Sequence, residues 1–166
     1  AKRCNVKFFR GSTANKLLRW SQCCEHFDLE SFHSVDADDL FFDGDEIKNS
    51  MKMLQEEGFD MVCPTESSSA GSASVGYSLT TDIVKRVCKG LDKDTDTEMM
   101  WYYMEKIPDL KTKILPETRK NISNMRLTLD YEEDYWLLES VRRMVGNLAS
   151  RGKVDQLFLS NPDLYK

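Results

Sequence analysis

The chain alternates short, β-prone apolar runs with longer stretches in which apolar residues recur at helical spacing. The first run, over 6–9, contains Val6, Phe8 and Phe9 and gives way to an Arg10-Gly11-Ser12 turn. Leu17, Leu18, Trp20 and Phe27 then predict a helix over 13–27 with Ser12 as its N-cap. A strand over 31–36 comes next. It is followed by a helix over 45–57 carrying Ile47, Met51, Met53 and Leu54, closed by Gly58 at the C′ position, and by a strand over 59–63. The polar, small-residue run at 64–72 reads as an exposed loop of the kind that covers a site. Residues 74–79 read as a strand, and Thr80 or Thr81 caps a helix through Ile83, Val84, Val87 and Cys88 that Gly90 ends.

An acidic turn at 92–96 precedes a helix through Met99, Met100, Tyr103 and Met104, and further strands are expected over 111–115 and 126–129. From Glu132 the positions Tyr135, Leu138, Val141, Val145 and Leu148 form an amphipathic stripe. The acidic first turn of that helix complements its dipole. A last short helix carries Val154, Leu157, Phe158 and Leu159. There is no internal repeat, and the alternation of strands and helices predicts an α/β layered fold. At 166 residues the chain fits one domain, 1–166, large enough to bury a core without staples.

Composition narrows the function. The chain is 40% hydrophobic and 31% charged, as in ordinary globular domains. A net charge of -5 argues against a nucleic-acid coat, although a local basic loop and a metal would still admit one nucleotide. No apolar run approaches the roughly 20 residues needed to span a bilayer, and Ala1-Lys2-Arg3 lacks the apolar core of a secretory signal. The expectation is a cytoplasmic protein. Cys4, Cys23, Cys24, Cys63 and Cys88 contain no CxxC pair and read as reduced, mostly buried thiols. His26 and His33 are badly spaced for a zinc site and read as surface or helix-end histidines.

The most informative stretch is 33–43, where Asp36, Asp38 and Asp39 cluster at the end of a predicted strand. Ligands gather at the carboxyl ends of strands in open α/β sheets. Clustered carboxylates repel one another unless a cation, water or a basic side chain compensates. Helix caps and solvated turns also produce such clusters. An EF-hand fails on spacing: counting from Asp39, Gly44 is sixth, but Phe41 takes a ligand position and Ser50 stands where a glutamate is needed. Asp130 also closes a predicted strand, so a sheet that set the two strands side by side would aim Asp38 and Asp130 at one point, with oxygen donors suited to Mg²⁺ or Mn²⁺. Arg10-Gly11-Ser12 at a strand-to-helix turn could present N–H groups and a guanidinium to an anion, or be a tight turn with a surface arginine. Arg19 could reach the same anion or pair with an acidic neighbour. Consecutive Trp101, Tyr102 and Tyr103 cannot share one helix face, so at least one points away from the core. Glu98 could accept a substrate hydroxyl or cap the helix.

Together, Phe8-Phe9-Arg10-Gly11-Ser12, Arg19, the stretch from Val35 to Asp43, and Arg126-Leu127-Thr128-Leu129-Asp130-Tyr131-Glu132-Glu133-Asp134 resemble the cytidylyltransferases of the spore-coat-polysaccharide type. Relatives of that family include the CMP-sugar synthetases for acylneuraminate and 3-deoxy-manno-octulosonate. The resemblance implies a three-layer αβα sandwich with the Rossmann-like nucleotide-diphospho-sugar transferase fold. It implies transfer of a nucleotidyl group from CTP to a sugar or sugar phosphate, with Mg²⁺ and release of pyrophosphate. On that likeness Asp38 and Asp130 are the catalytic metal aspartates, with Asp36 a further ligand. Arg10, Gly11 and Arg19 border the nucleotide, and Gly76, Tyr77 and Glu98 shape the sugar pocket.

The family opens with a strand and a Gly-, Ser-, Arg- and Lys-rich loop around the triphosphate, which residues 1–9 do not carry. The resemblance therefore predicts an N-terminally truncated chain, a fragment or a module without the loop. The implied partners are CTP or another nucleotide, a sugar or sugar-phosphate acceptor, and a second copy of the chain or a missing N-terminal segment. Two other classes compete: a noncatalytic domain kept for binding or assembly, and a glycosyltransferase that holds a nucleotide-sugar diphosphate between carboxylates. The 126–134 segment favours the synthetase side.

Overall fold

A computed structural model describes residues 1–69, 72–118 and 125–164. The elements run α1 (Lys16–Phe27), β1 (Ser31–Ser34), α2 (Gly44–Glu57), β2 (Met61–Cys63), α3 (Glu66–Ser69), β3 (Tyr77–Thr80), α4 (Thr81–Cys88), α5 (Trp101–Met104), β4 (Thr112–Ile114), α6 (Glu132–Val145) and α7 (Arg151–Ser160). The strands form one mixed sheet in the order β1-β3-β2-β4. β3 runs antiparallel to both β1 and β2, and β4 runs parallel to β2. The register pairs Ser34 with Tyr77 and Met61 with Leu79. The carboxyl ends of β1, β2 and β4 therefore meet the amino end of β3 along one edge.

Strand alternation sorts the side chains into two faces. Leu79 and Met61 lie on one face, where they join Leu17 of α1, Ile83, Val84 and Val87 of α4, and Met100 and Met104 around α5. Val62 lies on the other face with Leu54 of α2, Val75 and Leu115. The sheet is thus the middle layer of three, as expected from the alternation of elements. A third cluster joins Met125, Leu127, Leu138, Val141, Val145, Val154 and Phe158 between α6, α7 and the segment that precedes α6. Burying each such aliphatic side chain contributes roughly 1.5–3 kcal/mol before chain entropy is charged against it.

Several expected boundaries shift, each for a local reason. α1 begins at Lys16 because Asn15, not Ser12, caps it: its side chain accepts from Leu18 N–H. Asn15 prevails because it is also tied to the 92–97 segment, donating to the Asp92 carbonyl at 2.9 Å and accepting from Thr97 Oγ at 3.1 Å. Ser12 instead accepts from Asn15 N–H in the preceding turn. Asp43 caps α2, and Gly58 ends it in the left-handed region at φ 71°. Residues 6–9 are not a strand; Val6 and Phe8 are exposed. The 126–129 segment is not a sheet strand either. Its alternation is real, with Met125 and Leu127 buried against α6 and α7, but it is joined to residue 39 by a single antiparallel bridge at Thr128. The helix expected through Met99 shrinks to the single turn of α5, on which Tyr102 is the aromatic left exposed. All five cysteines are free thiols; Cys24 is buried, Cys4 is exposed and the other three are half-buried.

His33 is neither a surface nor a helix-end residue. It sits in β1 on the α2 face, where Nε2 meets the Val75 carbonyl and Nδ1 meets Ser78 Oγ at 2.7 Å; Ser78 Oγ meets Ser50 Oγ at 2.7 Å. A carbonyl only accepts, so Nε2 carries the proton and Nδ1 accepts from Ser78, whose oxygen accepts from Ser50. This ordering satisfies the buried polar groups with a neutral imidazole, and burial lowers the His33 pKa below its ordinary 6.5. The contribution of neutral His33 is therefore complete above the unfolded value near 6.5 and is lost as pH falls toward the depressed folded value. Urea unfolding at pH 7.5 and 5.5 should show a loss of stability on acidification that is smaller in His33→Gln; equal losses in the two proteins would contradict this network.

Candidate functional site

The carboxyl edge of the sheet collects most of the residues singled out from the sequence. β1 ends at Ser34, and the chain passes through Asp36, Asp38 and Asp39 before α2. On the neighbouring strand, Gly76 and Tyr77 lie directly across, and the backbones touch. A Cβ built at Gly76, where φ is +81°, would fall 1.7 Å from the Ser34 carbonyl oxygen. Glycine is required there by both conformation and space. The Tyr77 ring stands edge-on to Trp101 at 5.0 Å between centroids, and burial pushes its phenol up to about 12, so it stays protonated across the physiological range.

The aspartates separate into different roles. Asp39 is buried, accepts from Thr128 Oγ at 2.8 Å, and faces Thr128 across the isolated bridge. Leu129 N–H donates to the Asp38 carbonyl at 3.0 Å, so the 38–39 and 128–129 backbones lie side by side. Burial raises the Asp39 pKa, opposed by the Thr128 hydrogen bond, and the Asp38 and Asp36 charges push it in the same direction as burial. Asp38 is half-exposed and Asp36 exposed.

Asp36 is turned toward Lys16, whose Nζ lies 3.1 Å from Asp36 Oδ1 and 3.3 Å from Glu98 Oε1. Lys16 is buried in the first turn of α1 and packs 5.4 Å from the Trp20 ring centroid. No local signal marks it, because a lone lysine beside the apolar Leu17 and Leu18 looks like an ordinary solvated position. The Asn15 cap and the 92–98 segment bring Glu98 to it: Thr97 N–H donates to the Ala14 carbonyl, and Thr97 Oγ accepts from Leu17 N–H at 3.0 Å.

Asp130 does not close a sheet strand, contrary to expectation. It is exposed just beyond the bridge, and its carboxylate accepts from Arg126 Nη2. Arg126 also reaches both oxygens of Asp134, with Nε at 2.7 Å and Nη2 at 3.0 Å. Asp134 is buried and accepts from the backbone N–H groups of Asp130 and Tyr131 at 3.0 and 2.9 Å, capping α6. The Arg126 guanidinium and these N–H groups hold the Asp134 carboxyl down at about 2. The arginine's role was not anticipated. Its spacing, four residues before Asp130 and eight before Asp134, was the available signal.

Gly11, next to Arg10 in the chain, and Arg19 lie against each other. A Cβ at Gly11 would meet Arg19 Cγ at 3.0 Å, and Arg19 Nη1 donates to the Ser12 carbonyl at 2.7 Å. Arg19 therefore braces the loop before α1, while Arg10 is exposed. The expected trio Asp36, Asp38 and Asp130 is not assembled as one cluster, for a physical reason: Asp36 is held by Lys16 and Asp130 by Arg126. Among the described residues no three His, Cys, Asp or Glu side chains lie together as a metal-binding group. Two cavities, of about 340 and 260 Å³, are lined by none of these residues; one lies beside α2, and the other, between the Leu40–Phe41 segment and α6, is bordered by Leu129 next to the bridge.

This geometry defines a class: a mixed α/β domain of three layers with its charged chemistry at the carboxyl edge of the sheet. Among solved structures, one with this architecture is a cytidylyltransferase from Leptospira borgpetersenii serovar Hardjo-bovis (strain JB197). The TM-score is 0.83 and the identity 18%, over 99% of this chain and 70% of that one. At that identity the likeness establishes the shared Rossmann-like fold. No protein-family model matches the sequence, and no curated protein matches it. No helix among the described residues is long and apolar enough to cross a membrane.

Two substitutions probe the two halves of this edge. Gly76→Ala should destabilise the fold by at least about 3 kcal/mol, because no shift of a flexible side chain can relieve a clash with the Ser34 backbone. Asp134→Ala should cost about 2–3 kcal/mol through loss of the cap and the bidentate partner, whereas exposed Asp130→Ala should cost under about 1. Thermal denaturation of the two aspartate variants ranks them; equal shifts would contradict the capping role.

Proposed function

We propose that this domain is a nucleotidyltransferase of the cytidylyltransferase kind. In this reading it activates a sugar or sugar phosphate with CTP and releases pyrophosphate. The observation that supports it best is the Asp39–Thr128 bridge. It draws the aspartate loop after β1 against the Arg126–Asp134 segment, within a fold shared with a cytidylyltransferase.

Asp38, half-exposed, and Asp130, exposed and giving Oδ2 to Arg126, offer hard carboxylate oxygens from two paired segments. That donor set fits Mg²⁺ or Mn²⁺, which use one or two carboxylates plus water and substrate phosphates rather than a closed protein cage. Such an ion supplies charge neutralisation on the phosphoryl oxygens when bound.

The chain's own groups do the rest. Arg126 holds Asp130 and Asp134 in place, Asp39 fixes the loop that carries Asp38, and Arg10 with the turn at Gly11 borders the nucleotide. The Gly76, Tyr77 and Glu98 side receives the acceptor. An acceptor hydroxyl or phosphate oxygen attacks the α-phosphorus in line and forms a new P–O bond. The bond from that phosphorus to the α–β bridging oxygen breaks, and pyrophosphate leaves. A hydroxyl acceptor gives up its proton to solvent or a site carboxylate.

A second reading, a noncatalytic nucleotide-binding or assembly domain, draws on a specific observation. Arg19 donates to the Ser12 carbonyl and Arg126 pairs with two carboxylates, so two of the basic groups near the edge are committed within the protein.

Calorimetric titration of CTP with Mg²⁺, followed by a pyrophosphate-release assay with sugar and sugar-phosphate acceptors, separates the two readings. The expected result is Mg²⁺-dependent binding, abolished by EDTA. Asp38→Ala and Asp130→Ala should each weaken it at least about tenfold, or about 1.4 kcal/mol, in protein that remains folded. Binding without pyrophosphate release would leave the noncatalytic domain, and absence of nucleotide binding would end the transferase reading.

A further inference from the structure

We propose that Lys16 is a positioning residue that sets acceptor specificity, and that the acceptor end seated beside it is uncharged and hydroxyl-bearing rather than carboxylate- or phosphate-bearing; this rests on the transferase reading above. Lys16 lies between buried Asn15 and Leu17 at the start of α1, a position where an ammonium is costly unless paired. Its partners come from two different loops, Asp36 after β1 and Glu98 before α5. One buried cation thus fixes two loops against each other.

The Lys16 side chain is 11% exposed, whereas those of Asp36 and Glu98 are 54% and 72% exposed. The ammonium is enclosed and the carboxylates face outward; Asp36 meets it through both oxygens, at 3.1 and 3.5 Å, whereas Glu98 uses Oε1. Lys16 spends its protons on those carboxylates and acts on a substrate through them. Carboxylate oxygens only accept, so the groups they can take are hydroxyl or other N–H and O–H donors. The three charges sum to minus one, so a carboxylate or phosphate brought here meets net repulsion. Beside the triad, the Tyr77–Trp101 pair adds aromatic surface, and Gly76 leaves the backbone bare. Carboxylate acceptors beside aromatic surface match a neutral polyol with an apolar C–H face.

Acceptor pairs that differ only at carbon 6 test this: glucose 1-phosphate against glucuronic acid 1-phosphate, and the two galacto counterparts. With CTP and Mg²⁺, pyrophosphate release should favour the neutral-ended member by about tenfold or more in kcat/KM, mainly through KM. Glu98→Gln removes one negative charge and should narrow that gap to about threefold or less. Lys16→Met should raise KM for the neutral acceptor more than it lowers kcat, and Lys16→Arg should restore much of the loss.

An equal or reversed preference, or a gap unchanged in Glu98→Gln, overturns the proposal even if Lys16→Met fails to fold. If CTP with Mg²⁺ binds by calorimetry yet none of the acceptors reacts, the proposal about the acceptor end falls while the nucleotide reading stands. If CTP with Mg²⁺ does not bind, the transferase reading fails first and this one with it.

Discussion

The site depends on one short contact between distant parts of the chain, the bridge that joins residues 38–39 to 128–129. Its backbone hydrogen bond from Leu129 to Asp38 and its side-chain bond from Thr128 to buried Asp39 tie the α6–α7 cluster to the carboxyl edge of the sheet. Phe41, from the same loop, packs against the α6–α7 cluster, and Arg151 donates to its carbonyl, so the bridge is reinforced by apolar contact beside it. Asp39 is suited to the task because it is sequestered. A carboxylate removed from water needs hydrogen-bond partners, and Thr128 supplies one where the second segment must dock.

Charge at this edge is managed in pairs rather than pooled. Clustered aspartates would repel strongly, yet most of the negative groups have their own compensation: Lys16 for Asp36 and Glu98, Arg126 for Asp130 and Asp134, Thr128 for Asp39, while Asp38 is half-exposed to water. The Arg126 arrangement is also architectural. Asp134 satisfies two backbone N–H groups at the start of α6 while the guanidinium spans both its oxygens, so helix capping and site electrostatics share one carboxylate. The cationic side chains at the edge are therefore largely engaged within the protein. Arg10, by contrast, is exposed.

The opposite face of the sheet has a different character. Ser50, Ser78 and His33 form a neutral relay that ends on the Val75 carbonyl, immediately before Gly76. The relay anchors the strand whose amino end presents Gly76 and Tyr77, so that part of the edge is braced from beneath. His33 makes this support sensitive to acid, since burial disfavours its charged form and protonation would force the Ser78 and Ser50 hydroxyls to reverse their donor and acceptor roles.

Periodicity alone placed nearly every helix and the strands β1 to β4, because core-facing positions repeat at 3.6 or 2 residues whatever the surroundings. Acidic side chains at predicted strand ends marked Asp38 and Asp130, Glu98 stood out ahead of a helix, and the family resemblance added Gly76 and Tyr77. Periodicity misplaced elements whose existence depends on a partner. Residues 6–9 have strand composition but lie exposed, and 126–129 have strand alternation but meet another segment at a single bridge. The cap of α1 moved from Ser12 to Asn15 because contacts with residues 92–97 reward asparagine, information held some 80 positions away. Lys16 carried no local signal, and the roles of Asp39 and Arg126 were not legible, for the same cause: a charged residue's role is set by which opposite charge or hydroxyl folding brings within about 3 Å, and the partners lie far off along the chain or compete with several near it. Local composition and spacing thus decided which segments fold and where acidity gathers, whereas the pairing of each charge was decided in three dimensions, because electrostatic energy depends on distance through space and not on order in the chain.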